Sequence, residues 1–162
     1  MLSRGADTSE LACDSIWRWW KVVGERQYWH ASGLLLLCDC GGGNSPRVNR
    51  FKEDLKRLSM RLRRHIQVAH YPPGCSKYNP IEHRLFCHVT RSLSGVILRS
   101  MDVAKAFIER TTTSTGLRVI VETTEKLYAK ARAATAAFLD ARPVNHASVL
   151  PELNYAVTPY RY

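Results

Sequence analysis

Leu34-Leu35-Leu36-Leu37-Cys38-Asp39-Cys40-Gly41-Gly42-Gly43-Asn44 decides how this chain is read. The short continuous apolar run fits a strand buried on both faces, as in a parallel or mixed central sheet. One carboxylate, Asp39, follows at its carboxyl end, where open α/β sheets collect ligands and catalytic groups. The glycines Gly41, Gly42 and Gly43 then free the backbone for positive φ and close approach. A glycine loop before a helix can also bind phosphate. This one matches neither the Walker pattern nor GxGxxG, so as a nucleotide signature it is weak.

Working outward, Met1–Thr8 is a ragged start, and Ser9 to Tyr28 has helical periodicity with Ala12, Ile16, Trp19 and Val23 inward. Trp17, Trp19 and Trp20 read as a bulky packing face, with base stacking as the functional alternative. Pro46 to Arg64 is the best-defined helix, its apolar stripe being Val48, Phe51, Leu55, Leu58 and Leu62. Arg50, Arg57, Arg61 and Arg64 share another face. That face is either a solvated surface partly balanced by Glu53 and Asp54, or a phosphate-backbone contact. Ile66–Tyr71 alternates like a second strand and ends at Pro72-Pro73-Gly74.

Asn79-Pro80 opens a further helix, with Asn79 as N-cap and proline at the first helical position. Glu82 at the third position could complete a capping box. It also shares a helical face with Phe86, Val89 and Leu93, where a carboxylate is costly to bury unless paired or metal-bound. Met101–Arg110 reads as an amphipathic helix, Thr111–Gly116 as a loop, Leu117–Val121 as an edge strand and Thr124–Leu139 as an alanine-rich helix. A domain is therefore expected over residues 1–142, followed by an irregular tail over 143–162 draped on the surface.

The 162 residues suffice for one domain with a sizeable core, and their net charge of +10, with a pI near 9.7, points to a polyanion such as nucleic acid. The five cysteines form no regular pairs and no zinc spacing, which argues against a secreted disulfide framework and for reduced thiols in the cytosol. Leu34–Leu37 is far too short to span a membrane, and no signal-peptide core precedes it. Asp39 and Glu82, one after a strand and one at a helix start, suit a two-metal phosphoryl-transfer site.

Three segments carry a resemblance: Asp39-Cys-Gly-Gly-Gly-Asn44, His70 through Phe86, and Thr111-Thr-Thr-Ser-Thr-Gly-Leu-Arg-Val119. Together with Asp7–Ala12, Ser15–Trp20 and Leu153–Pro159, they resemble the DDE transposases of insertion sequences, of the ISAzo type related to the mariner-like group. The resemblance covers nearly the whole chain, and its order and spacing are more specific than any single motif. It implies an RNase H-like α/β fold, a mixed sheet flanked by helices. It implies hydrolysis of a phosphodiester at the element's end and attack of the freed 3′-hydroxyl on target DNA, with magnesium or manganese. Asp39 matches the second catalytic Asp and Glu82 the catalytic Glu, both as metal ligands. Lys77 and Arg84 join the four arginines as candidate DNA contacts. His83 is a lesser site candidate with a structural alternative, and Asn79 shapes the turn.

The family usually has glycine at Cys40 and tryptophan at Tyr78 and Leu153. Its first catalytic Asp lies on a strand upstream of the segment matched by Asp7–Ala12. The chain begins just before that segment, so the first strands, that Asp and any N-terminal DNA-binding domain are expected to be missing. Neither Asp7 nor Asp14 is expected to substitute. The expectation is a C-terminal transposase fragment that is inactive alone, acts in the cytoplasm at the nucleoid, and assembles as a homo-oligomer on DNA. The alternative is a non-catalytic, basic DNA-binding remnant. A sheet edge exposed beside Leu34–Cys38 should make the chain poorly soluble or dependent on a partner.

Overall fold

The computed structural model describes residues 1–159 and is a mixed α/β structure. In chain order it forms β1 (Leu2–Ser3), α1 (Ser9–Trp19), α2 (Glu25–Gln27), β2 (Gly33–Cys38), α3 (Asn49–Leu62) and β3 (His65–His70). Then come α4 (Cys87–Leu93), α5 (Met101–Glu109), β4 (Thr123–Thr124), α6 (Ala136–Ala141), β5 (Asn145–His146) and β6 (Asn154–Val157). These divide into two compact units, 7–73 with 128–159 and 1–6 with 74–127.

The first unit holds a four-stranded sheet in the order β2-β3-β6-β5. The β2 and β3 pairing is parallel, Leu34 opposite Ile66 and Cys38 opposite His70, while β6 runs antiparallel to both β3 and β5. α1 and α3 cover one face. Phe51, Leu55, Leu58 and Leu62 of α3 interlock with Ile66, Val68, Tyr155 and Val157, and Cys13 and Trp20 close the cluster. The α3 stripe is therefore as expected. The face of α1 is rotated: Cys13, Ile16, Trp17 and Trp20 turn to the core, while Trp19 is exposed. A π-helical turn over Trp20–Gly24 follows α1. Its wider turn takes residues off a strict 3.6 periodicity.

Three expectations fail here. β2 is not buried on both faces: Leu35 and Leu37 are 60% and 52% exposed on its uncovered face, while its edge position, with β3 on one side only among the described residues, is the one expected. The tail is not irregular, because β5 and β6 complete the sheet and Tyr155 and Val157 enter the core. The alanine-rich stretch is helical only over Ala136–Ala141. Alanine favours helix but supplies no apolar stripe, and Ala131 at φ 57° breaks the path.

In the second unit β1 pairs in parallel with β4, Leu2 opposite Thr123. A π-helical turn over Glu82–Phe86 leads into α4, which packs with α5. Leu117–Val121 forms no strand. The Val121 N–H donates to the Glu109 carboxylate at 3.0 Å, and its side chain is buried.

Candidate active site

Asp39 stands exposed immediately after β2, and its position is held through the backbone. The Asp39 carbonyl accepts a hydrogen bond from His70 Nδ1 at 2.7 Å. A carbonyl only accepts, so Nδ1 carries the proton and Nε2 is free to accept the Tyr155 hydroxyl at 3.0 Å. Burial lowers the pKa of His70 despite the Asp39 carbonyl, which favours this neutral form, and burial raises that of the Tyr155 hydroxyl. Burial likewise pushes the Cys38 thiol up to about 11, so it stays protonated. Cys40, where the family usually has glycine, donates its thiol to the Tyr71 carbonyl at 3.0 Å and ties the ends of β2 and β3 together.

The glycine turn has two separate causes. Gly42 adopts φ 57°, the left-handed region. At Gly43 a Cβ would lie 2.9 Å from the Ser9 nitrogen, so the turn passes directly against the start of α1. There Thr8 caps the helix, its Oγ1 accepting from Leu11 N–H at 3.2 Å. Asp39 Oδ1 accepts the Gly41 N–H at 3.3 Å, which leaves most of its lone pairs available. Asp7 also reaches this turn, with Oδ2 3.1 Å from where a Gly42 Cβ would be. Asp14 is engaged elsewhere, by Arg61 at 3.4 Å and the Tyr128 hydroxyl at 3.2 Å.

Glu82 belongs to the other unit and is exposed. Its expected place on a buried face is overturned: Phe86 is exposed too, because the π-helical turn begins at Glu82. The capping box is absent as well. Asn79 Oδ1 accepts the Ile81 N–H at 3.4 Å, whereas the Glu82 carboxylate has no hydrogen bond or ion pair among the described residues. Beside it, His83 Nε2 donates to the Lys77 carbonyl at 2.8 Å, which fixes the turn before the helix. Lys77 lies over the Tyr78 ring at 5.0 Å, and Arg84 is exposed.

The arginine face of α3 is largely structural. Arg50 is only 7% exposed and pairs with Asp54 at 2.7 Å and Glu53 at 3.3 Å, so it is not available to phosphate. Arg57 pairs with Glu53 at 2.7 Å. Arg61 lies 4.3 Å from the Trp17 ring, and Arg64 donates to the Trp29 carbonyl at 3.2 Å over Trp20. Arg57, Arg61 and Arg64 thus keep only part of their surface for a ligand.

The family model described as the Rhodopirellula transposase DDE domain matches residues 1–159. The chain belongs to this family of DDE transposase domains. No curated protein and no solved structure matches it. DDE transposase domains act on DNA in transposition and use divalent metal ions. No helix among the described residues is long and apolar enough to cross a membrane.

In this transposase domain each predicted carboxylate is an exposed oxygen donor without a cationic partner among the described residues, a donor type that suits a hard divalent ion. Among the described residues no three His, Cys, Asp or Glu side chains group closely enough to hold one. Sequence reasoning missed His70 and Tyr155. Both sit inside segments that carry the resemblance, but their mutual bond spans 85 positions and has no local signal.

Proposed function

We propose that this chain contributes Asp39 and Glu82, two metal-binding carboxylates, to an RNase H-like centre that cuts the end of an insertion sequence and joins it to target DNA. The observation that carries this reading is Asp39: an exposed carboxylate at a strand's carboxyl end, fixed by its own carbonyl on His70 and by a glycine turn. Mg2+ or Mn2+ bound there supplies polarisation of the phosphoryl oxygens. The chain's own residues hold Asp39, through its carbonyl on His70 and the Gly41 N–H on its carboxylate, while Lys77 and Arg84, in the segment of Glu82, supply cations for a phosphate backbone. The protein works in the cytoplasm at the nucleoid, as an oligomer on DNA, and is kin to the mariner-like group.

The reading as a C-terminal part of the catalytic domain, its third carboxylate supplied from outside this chain, follows the family resemblance. Asp14, Glu53 and Asp54 are taken by arginines, and Asp7, the acid that reaches the glycine turn, lies ahead of α1 and not on a strand of the sheet. The domain extends at least through Val157, since β6 is part of the sheet.

Manganese binding followed by electron paramagnetic resonance tests the site. The chain should bind the ion weakly, and both Asp39→Asn and Glu82→Gln should weaken it further. Binding unchanged in both variants would refute the assignment. The chain alone should not nick supercoiled plasmid with magnesium. Robust nicking that Asp39→Asn abolishes would disprove the incompleteness while sustaining the role of Asp39.

A further inference from the structure

A cavity of about 880 Å3 lies beside the glycine turn, between Ser45–Lys52 on one side and His146 and Pro151–Leu153 on the other. Cys40, the neighbour of Asp39, is on its wall. Its volume is in the range of sites that enclose small ligands. Two features say what it would enclose. Arg47 and Lys52 both line it, and among the described residues neither has an acidic partner, in contrast to Arg50, Arg57 and Arg61. Lys52 is half-buried, with its ammonium 5.1 Å from the Tyr155 ring centre, and burial lowers its pKa, so a bound anion would restore what desolvation costs it. Pro46, Pro73 and Leu153 supply apolar wall against which a ring can lie. A single acid, Glu152, is among the lining residues.

We propose that this cavity holds one unpaired nucleotide of a DNA strand, its phosphate on Arg47 and Lys52 and its base or sugar against the proline-lined wall. A duplex is too wide for such a space, whereas one extruded or overhanging nucleotide fills it. The strand would then run past Cys40 to the Asp39 carboxylate. The idea rests on the transposase reading for its choice of DNA, but the pocket is defined by cations that the metal site does not use.

Fluorescence anisotropy on the full chain tests it, with EDTA present and with two labelled probes: a blunt duplex, and the same duplex carrying a short single-stranded overhang. The overhang probe should bind more tightly. The double substitution Arg47→Gln with Lys52→Gln should weaken it about tenfold and reduce its salt slope by about 0.7, the value for one single-strand phosphate contact. Arg26→Gln, a single change at an exposed arginine of α2, should have no comparable effect. Melting curves establish that the variants fold. Should the double variant fail to fold, protection of Lys52 from acetylation by the overhang probe is the second readout. Equal affinity for the two probes overturns the proposal. So do a loss no larger than that of Arg26→Gln and, where acetylation is the readout, an unprotected Lys52. Because EDTA removes the metal, failure here leaves the carboxylate assignment standing, and failed manganese binding leaves this pocket standing.

Discussion

At the residue scale the decisive contact is the one from His70 to the Asp39 carbonyl, backed by Tyr155. It orients Asp39 without occupying its carboxylate, and burial favours the neutral imidazole there. The folded pKa of His70 lies below its ordinary 6.5, so at intermediate pH the unfolded chain binds more protons. The stabilisation is fully present above about pH 6.5 and is lost as the pH falls through the lower folded value. Urea unfolding at descending pH should show this loss, and His70→Leu should flatten it. A His70→Leu variant with the same pH slope as the parent would argue against the neutral ring. Tyr155→Phe should cost about 1–3 kcal/mol at neutral pH by leaving Nε2 buried without a donor.

At the scale of elements, α3 joins the unit together. Its apolar stripe fills the core, and Glu53, 4% exposed, accepts from Arg50, Arg57 and both the N–H and hydroxyl of Thr135, the N-cap of α6. Burial opposes the charge on Glu53, but the Thr135 bonds and the two arginines outweigh it and hold the carboxyl below its usual range. Glu53→Ala should therefore cost about 3 kcal/mol, since it leaves the Thr135 N–H and hydroxyl without their acceptor and takes from the buried Arg50 one of its two acidic partners. Arg57→Ala should cost under about 1 kcal/mol, because the Arg57 side chain is half-exposed and its pair is screened. Urea midpoints of the two variants compare these directly, and equal losses would contradict the assignment. Heptad-like spacing made α3 and its stripe legible in the sequence. It could not separate arginines that bind phosphate from arginines that bind Glu53, Asp54 and Asp14, because the acid that meets Arg61 is 47 residues away.

At the scale of the molecule, the basic balance and the sheet edge govern behaviour in solution. The +10 charge favours DNA and keeps molecules apart, while β2 offers an edge unpaired among the described residues beside the exposed Leu35 and Leu37. The chain should self-associate at high salt, where charge repulsion is screened. Leu35→Lys with Leu37→Lys should reduce that association, followed by light scattering. A parent chain that stays monomeric at high salt and unfolds cooperatively would remove the edge as a liability.

By itself the sequence determined what is local: the apolar run and its terminal Asp39, the α3 stripe, the alternation of β3, the glycine turn and the order of the transposase motifs. Those signals survive in one dimension because strand and helix periods are set by neighbours. The tertiary structure decided the rest. It left one face of β2 uncovered, brought residues 145–157 into the sheet, turned Glu82 outward at a π-helical turn and engaged Arg50 in ion pairs. It also set Tyr155 behind His70, a bond between positions 85 apart. Pairings of that kind depend on which surfaces meet when the chain closes on itself, and no window of neighbouring residues contains that information.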